Sequence, residues 1–314
     1  MPRGSAGARR LRQAAILKLF PPRQPVPPEV RLLEGVRTDY GTRELIEYAV
    51  APRERVRALL LLPAGRRQRR PAVLASHQHA GQYWLGKSEP AGLFAKPMFH
   101  YGLELCRQGY VVICPDHLGF EERQPREIDR REGVAAEGRE HESLLLADCL
   151  LHGSSLTAKY LFDMCQALDV LQEHEQVDRD RLGVIGHSLG GQTALWHAFY
   201  DERVRAAFAS CGFSTLAAVQ ERGIPHNFAA YLPGLLNVGD IDDVVAGIAP
   251  RAFGMSHGTQ DAIFPMCGVR QVQRRARAAF PRGRFLSIVF KGPHCFPDAV
   301  KRRAYAFLRR QLGA

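Results

Sequence analysis

The sequence predicts an α/β protein whose mostly parallel central sheet carries helices on both faces. From about residue 45 onward, short apolar runs alternate with longer segments of helical periodicity, the order typical of such sheets. The chain has 314 residues, of which 46% are hydrophobic and 24% charged, enough apolar material for one substantial core. No run approaches the roughly 18 to 20 consecutive apolar residues of a membrane-spanning helix, so we expect no membrane span.

Most of the predicted strands are short and continuously apolar, as expected of strands that are buried on both faces. Residues 45–50 and 56–62 are predicted to form an opening antiparallel pair around the turn at 51–55. Further strands are predicted at 72–76, 110–114, 181–186, 204–210, 252–256 and 285–290. Helices are predicted at 98–108, 156–174, 190–200 and 299–312.

The sheet domain is predicted to span residues 45–314, and residues 1–44 are predicted to form a basic N-terminal arm. The arm starts with an arginine-rich segment whose apolar stretch is too short for a secretory signal, and the proline cluster at 21–28 follows as a stiff tether. A homo-oligomer joined through this arm is an arrangement that the sequence leaves open. Segments 121–155 and 213–249 are longer than simple connections, and we interpret both as lid-like insertions after strands.

Charge and cysteine content argue against several kinds of partner. The net charge is +11, but the cations are dispersed and are not interleaved with aromatic residues. We therefore expect an arginine-rich solvated surface and no nucleic-acid partner. The seven cysteines show neither a Cys-x-x-Cys pair nor metal-like spacing with histidine. This usage favours reduced thiols, a cytoplasmic location and no metal site.

The sharpest motif is the segment 186–191, which reads Gly-His-Ser-Leu-Gly-Gly between a predicted strand and a predicted helix. A turn of this kind holds its serine in a strained conformation and raises the hydroxyl above the sheet. Gly186 and Gly190 fit this turn because a Cβ at either position would clash with neighbouring backbone. The start of the next helix offers free N–H groups to a developing oxyanion. Ser188 is therefore the predicted nucleophile.

A serine nucleophile needs a general base that is itself oriented by an acid. After such a turn, the chain order is serine, acid, histidine. His294 lies in a turn just beyond the last predicted strand and is the predicted base, and Asp261, directly after another strand, is the predicted acid. The alternative bases are His197, His226 and His257. The alternative acids are Asp240, Asp242, Asp243 and Asp298.

The oxyanion hole needs two backbone N–H donors. Leu189, directly after the nucleophile, is predicted to supply one. The other is expected from the loop after the strand at 72–76, where His79 is favoured and Gln78 is the next candidate. The side chains of His77 and His79 could suggest a metal pair, but no carboxylate or third ligand accompanies them at usable spacing.

Five short motifs occur in a characteristic order. They read His-Gln-His-Ala-Gly-Gln at 77–82, Pro-Asp-His-Leu-Gly-Phe at 115–120, Gly-His-Ser-Leu-Gly-Gly at 186–191, Ala-Pro-Arg at 249–251 and Gly-Thr-Gln-Asp at 258–261. Together they resemble the dienelactone hydrolase and acetyl xylan esterase-like branch of the α/β hydrolases over about residues 45–312. The resemblance implies the α/β-hydrolase fold with Ser188, Asp261 and His294 as its triad. Dienelactone hydrolases proper carry a cysteine nucleophile, so the serine disfavours lactone opening, and Gln78 replaces the usual glycine beside the oxyanion strand.

We therefore expect a serine hydrolase that cleaves a small-molecule carboxylic ester through an acyl-enzyme, without a metal or organic cofactor. The alternatives are a peptidase or thioesterase with the same triad, and a non-catalytic binding protein on the same scaffold. Part of the substrate pocket is expected from the second insertion. Its candidate wall residues are His226, Phe228, Tyr231 and Leu235.

Overall fold

One sheet organises the chain. The structure is a computed structural model that describes residues 6–65, 69–94, 96–125 and 136–313. Within these residues, nine strands form a single sheet in the order β1-β2-β3-β5-β4-β6-β7-β8-β9. The strands are β1 Arg31–Thr38, β2 Gly41–Ala51, β3 Glu54–Pro63, β4 Arg70–Ser76, β5 Val111–Pro115, β6 Val177–His187, β7 Val204–Ser210, β8 Ala252–Gly258 and β9 Phe285–Phe290.

Helices fill most of the connections between these strands. They are α1 Ala6–Leu17, α2 Tyr101–Arg107, α3 Gly138–Leu151, α4 Leu156–Glu173, α5 Leu189–Tyr200, α6 Leu216–Glu221, α7 Leu235–Val238, α8 Ile241–Ile248, α9 Met266–Ala279 and α10 Asp298–Leu312. Short 3-10 turns lie at Pro97–Phe99, Glu121–Arg123 and Phe228–Ala230. Among the described helices, none combines the length and the apolar character needed to cross a membrane.

The strands from β4 onward run parallel to one another, whereas β1, β2 and β3 form an antiparallel edge that joins the sheet through β5. The carboxyl ends of β4, β6, β8 and β9 therefore lie along one edge of the sheet. In an open α/β sheet this edge is where ligands bind. It collects the loops that carry the residues singled out in the sequence.

Alternating side chains of the central strands enter two separate cores, which confirms the prediction of helices on both faces. Leu74 of β4 packs in a cluster with side chains of α4, α5 and α8. Its neighbours Val73 and Ala75 point to the opposite face and pack with side chains of α2 and α10. Successive side chains of a strand alternate in this way because the backbone is pleated.

The N-terminal segment contributes to the first of these cores. Ile16 of α1 is fully buried, and α1 contacts α8. Phe20 packs edge-on against Trp196 and Tyr200, with ring centroids 5.5 Å apart in both pairs. Strand β1 pairs with β2, and the predicted boundary at residue 44 falls within β2. Over its described part, the segment predicted to form the N-terminal arm packs on the sheet domain through Ile16 and Phe20.

The two predicted insertions contain helices. Segment 121–155 carries α3, while its residues 126–135 lie outside the described part of the chain. Segment 213–249 carries α6, α7 and α8. Strand β1 was not predicted, because its exposed and half-buried residues show no apolar alternation.

Candidate active site

Ser188 stands at a sharp turn between β6 and α5. Its φ of 55° and ψ of −116° lie outside the regions that L-residues usually adopt. A Cβ on Gly186 would come within 2.3 Å of the Gly190 carbonyl, and one on Gly190 within 2.0 Å of the carbonyl oxygen of Ser76. Both positions therefore require glycine. The Ser188 N–H donates to the carbonyl of Ser210 at 2.9 Å, which ties the turn to the end of β7.

Asp261 and His294 come together beyond the ends of β8 and β9. The Nδ1 of His294 lies 2.8 Å from an oxygen of Asp261, whose side chain is fully buried. The other oxygen accepts the N–H of Ile263 at 3.0 Å. Burial alone would raise the pKa of Asp261, but the hydrogen bond and the charge of His294 hold that pKa below its usual value. The carboxylate is therefore ionised and orients the imidazole.

The other candidate histidines have different surroundings. His197 lies fully buried within α5, and burial lowers its pKa to about 4. The Nε2 of His257 donates a hydrogen bond to the carbonyl of Phe213 at 2.6 Å. The Nε2 of His226 donates a hydrogen bond to the carbonyl of Ile263 at 3.0 Å. His226 and His257 thus bond backbone carbonyls, whereas His197 is enclosed in the core with neither ring nitrogen hydrogen-bonded to a described residue.

The other candidate acids also have structural partners. Asp240 caps α8 by accepting the N–H of Ile241. Asp243 pairs with Arg12 at 3.0 Å, and Asp298, 77% exposed, pairs with Lys301. Asp242 accepts from Gln271 at 3.2 Å. Among the aspartates considered, Asp261 alone bonds a histidine beside the sheet edge.

The two candidate second donors of the oxyanion hole differ in availability. The N–H of Gln78 donates to the carboxylate of Glu89 at 3.1 Å, and its side-chain amide donates to the same carboxylate at 2.7 Å. The N–H of His79 has no hydrogen-bond acceptor among the described residues. Leu189, as the first residue of α5, has an N–H without a partner inside the helix. Of the two candidates for the second donor, His79 is therefore the one whose N–H has no acceptor among the described residues.

The ring of His77 is occupied on both nitrogens. Its Nδ1 donates to the carbonyl of Gln78 at 2.7 Å, and its Nε2 accepts the N–H of His117 at 3.2 Å. Burial lowers its pKa to about 4, so the ring is neutral. Both ring nitrogens of His77 are thus used in hydrogen bonds within the protein.

A cavity of about 770 Å³ opens beside His294. We call the segment formed by residues 77–94 and 96–100 the cavity loop, because it supplies most of the wall. The lining residues are Gln78, Ala80, Gln82, Trp84, Leu85, Ser88, Glu89, Phe94, Lys96, Phe99, Glu121 and His294. Trp84 and Phe94 are 67% and 65% exposed, so they form an aromatic rim that is open to solvent.

A buried lysine anchors the cavity loop. Lys87 is only 2% exposed, and its ammonium group contacts the carboxylates of Asp116, Glu121 and Glu122. Burial alone would lower the pKa of Lys87, but the charges of Asp116 and Glu121 raise it above its usual value. The N–H groups of Gly86 and Ser88 also donate to Glu121. Sequence reasoning missed this anchor, since nothing in the local pattern indicates that a lysine is buried.

The predicted wall residues of the second insertion lie in different surroundings. His226 stacks on Phe264 with ring centroids 4.8 Å apart, and Phe264 lies next to His294. The hydroxyl of Tyr231 accepts the N–H of His226. Phe228 lies under the guanidinium of Arg139 at 4.6 Å. Leu235 is 1% exposed in the core cluster that includes Ile16, and lines none of the described cavities.

Two described groups of side chains place possible metal ligands within 4.8 Å of one another. One combines the thiol of Cys211 with Asp261 and His294. Burial raises the pKa of Cys211 to about 12, so its thiol is protonated. The other group is Asp116, Glu121 and Glu122, and all three carboxylates contact the ammonium group of Lys87.

Comparisons with known proteins identify the fold of this chain. The family model described as the alpha/beta hydrolase fold matches residues 90–259. The protein YtaP of Bacillus subtilis (strain 168) is 32% identical over 215 residues, which are 67% of this chain and 67% of YtaP.

Solved structures share the fold at lower sequence identity. Acetyl xylan esterase 1 from Thermoanaerobacterium sp. JW/SL YS485 superposes with a TM-score of 0.67 at 15% identity, over 96% of this chain and 93% of the esterase. A glucuronoyl esterase from Solibacter usitatus gives a TM-score of 0.68 at 14% identity, over 98% of this chain and 92% of that one. The resemblance inferred from the five motifs is confirmed: this chain belongs to the α/β-hydrolase fold family.

Proposed function

We propose that this protein hydrolyses carboxylic esters through an acyl-enzyme intermediate on Ser188. The observation that carries the proposal is the 2.8 Å contact between His294 and the buried Asp261, on the same sheet edge as the strained turn of Ser188. The structurally similar acetyl xylan esterase and glucuronoyl esterase are named as ester hydrolases, which supports the same reaction class.

In the proposed mechanism, Nε2 of His294 takes the hydroxyl proton as Oγ of Ser188 attacks the ester carbonyl carbon. The carbonyl π electrons move to oxygen, and the N–H groups of Leu189 and His79 stabilise that oxyanion. The tetrahedral intermediate collapses as the alkoxide leaves with the proton from His294. Asp261 keeps the imidazole in the tautomer with its proton on Nδ1 and stabilises the imidazolium.

The second half of the reaction repeats these steps with water. His294 removes a proton from water as the oxygen attacks the acyl-enzyme carbonyl, and then returns it to Ser188 while the carboxylic acid leaves. Because His294 protonates the leaving alcohol and also lines the 770 Å³ cavity, we assign the alcohol part of the substrate to this cavity.

The first test is labelling with a fluorophosphonate probe, followed by turnover of short p-nitrophenyl esters. We expect labelling and turnover of the wild type, and loss of turnover by a factor on the order of 10⁴ to 10⁶ in Ser188→Ala. Ser143→Ala, which alters an exposed serine of α3, is the matched control and should behave as the wild type.

Other outcomes separate the alternatives. Labelling at Ser188 with turnover of thioesters or peptides, but not of oxygen esters, would favour a thioesterase or peptidase. A folded wild type that neither labels nor turns over any ester contradicts the proposal and favours a binding protein on this scaffold. Full esterase activity in Ser188→Ala would exclude Ser188 as the nucleophile.

A further inference from the structure

The side chain of His79 is held at both ring nitrogens. The N–H of Gly81 donates to Nδ1 at 3.0 Å, so Nδ1 is unprotonated and the ring proton lies on Nε2. Nε2 lies 3.1 Å from an oxygen of Glu142 and donates to it. The ring also packs edge-on against Tyr83 and Phe120. The two hydrogen bonds and the two ring contacts together fix the orientation of the His79 ring.

Glu142 belongs to α3, which lies in the first insertion. It is only 1% exposed, and the oxygen that accepts from His79 also accepts the hydroxyl of Tyr83 at 2.9 Å. Its other oxygen is buried without a hydrogen-bond partner among the described residues. Burying a carboxylate with one oxygen unpaired costs free energy, and such costs are concentrated where a residue has a functional role.

The backbone of His79 is positioned from the other side. The peptide group between Gln78 and His79 has its carbonyl held by His77, and the N–H of His79 points away from that carbonyl because the peptide is trans. The turn that follows needs left-handed backbone, with φ of 47° at Ala80 and 68° at Gly81. The bond from Gly81 to the ring closes this turn. The ring and the N–H of His79 are thus parts of one rigid unit.

We propose that Glu142 is a positioning residue, which aims the N–H of His79 at the oxyanion by holding the His79 ring. The inference rests on the proposed ester hydrolysis and deepens it, since it makes a helix of the first insertion a support of the oxyanion hole. Glu142 touches neither the substrate nor the reacting atoms in this scheme. Its effect should appear in the transition state, where the oxyanion forms, more than in substrate binding.

The test compares three variants on a p-nitrophenyl ester. Glu142→Ala removes the acceptor, and we expect kcat to fall by about 10- to 100-fold with KM within about 2-fold, since a misplaced catalytic group costs up to about 10². Glu142→Gln keeps an acceptor oxygen for His79 and should recover most of the loss. Tyr83→Phe removes the other bond to the same Glu142 oxygen and should stay within about 2-fold of the wild type.

A second readout separates positioning from a purely structural role. A trifluoromethyl ketone forms a tetrahedral oxyanion on the serine, so its affinity for Glu142→Ala should fall by the same factor as kcat, while the thermal midpoint of Glu142→Gln stays near that of the wild type. Unchanged kcat in Glu142→Ala, or a lower kcat with unchanged affinity for the ketone, overturns the inference. If the wild type does not turn over esters, the proposed function itself has failed. Should Glu142→Ala not fold, the same comparisons are made on Glu142→Met, which fills a similar volume without an acceptor oxygen, and an unchanged kcat and ketone affinity in that variant again overturn the inference.

Discussion

Asp261 keeps its negative charge in a buried place because three donors share it. Burial raises the pKa of a carboxyl group, but the ring of His294 and the N–H groups of Ile263 and Phe264 reverse that effect. The two backbone bonds also fix the carboxylate plane. The carboxylate therefore holds a single ring orientation of His294, whichever protonation state the ring adopts during a reaction.

At this scale we expect Asp261→Asn to lower kcat by about 10⁴, because the amide would favour the wrong imidazole tautomer. Steady-state kinetics on a p-nitrophenyl ester measure the effect. Asp298→Asn is the matched control, since Asp298 is 77% exposed and pairs only with a neighbouring lysine of α10. A loss of less than about 10-fold in Asp261→Asn would remove Asp261 from the proposed triad.

The residues of the candidate triad could be singled out from the sequence because each follows a strand and the chain order is fixed by the fold. Ser188 had in addition two flanking glycines, and their close backbone contacts supply the physical reason. Lys87 offered no such signal. A lysine is usually exposed, and its burial depends on carboxylates that arrive from a different loop.

At the scale of elements, the cavity loop depends on this one buried cation. Lys87 connects the loop to the carboxyl end of β5 through Asp116, and to the turn at Glu121–Arg123. One member of the cluster, Glu121, itself lines the cavity. Apart from the 3-10 turn at Pro97–Phe99, this loop has no regular secondary structure. Lys87 holds it in place, because moving the loop away would leave Lys87 and Asp116 buried without each other's charge.

We expect Lys87→Met to destabilise the fold by roughly 3–5 kcal/mol, because the substitution leaves Asp116 buried without its counter-charge. Urea unfolding followed by circular dichroism measures the free energy of unfolding. Arg107→Met breaks the pair with Asp39, whose side chains are 52% and 71% exposed, and should cost less than about 1 kcal/mol. Equal effects in the two variants would show that the Lys87 cluster does not stabilise the loop.

Helices and strands could be predicted where the apolar residues of the segment itself recur at regular spacing. They were harder to predict where contacts with other elements determine the packing. Strands β7 and β9 lie at the predicted residues. All but one residue of β7 are buried, whereas Ile288 is the one buried residue of β9. Helix α1 is different. Its arginines suggested a peripheral arm, yet Ile16 is fully buried against the sheet domain. The burial of Ile16 depends on the contacts of α1 with α8 and α7. The sequence of α1 alone does not indicate these contacts.

At the scale of the whole molecule, neutral histidines are distributed through the core. Burial lowers the pKa of His77, His197 and His257 to about 4 each, against about 6.5 in an unfolded chain. Because the folded-state pKa is the lower one, these groups contribute stability above pH 6.5, and that contribution is lost as the pH falls toward 4.

The fold should therefore be distinctly less stable at pH 5 than at pH 7, by about 1 to 2 kcal/mol for each of these histidines. Urea midpoints at the two pH values measure the difference. His197→Gln removes one titrating group and should reduce the difference by that group's share, about 1 to 2 kcal/mol. A stability that does not change between pH 7 and pH 5 would mean that these rings are protonated or hydrated in the folded state.

The aromatic rim also has a consequence for laboratory evolution of this protein. Trp84 and Phe94 project into solvent from the cavity loop, which the ion pairs of Lys87 anchor. Replacing either aromatic residue leaves these ion pairs unchanged. A saturation library at these two positions would explore new substrate ranges while most of its members still fold. A library at Gly186 or Gly190 would instead consist mainly of failures, since any side chain there collides with main-chain atoms. The residues expected to set the substrate range are thus different from those that the turn at Ser188 requires. The first can be substituted while the second stay unchanged.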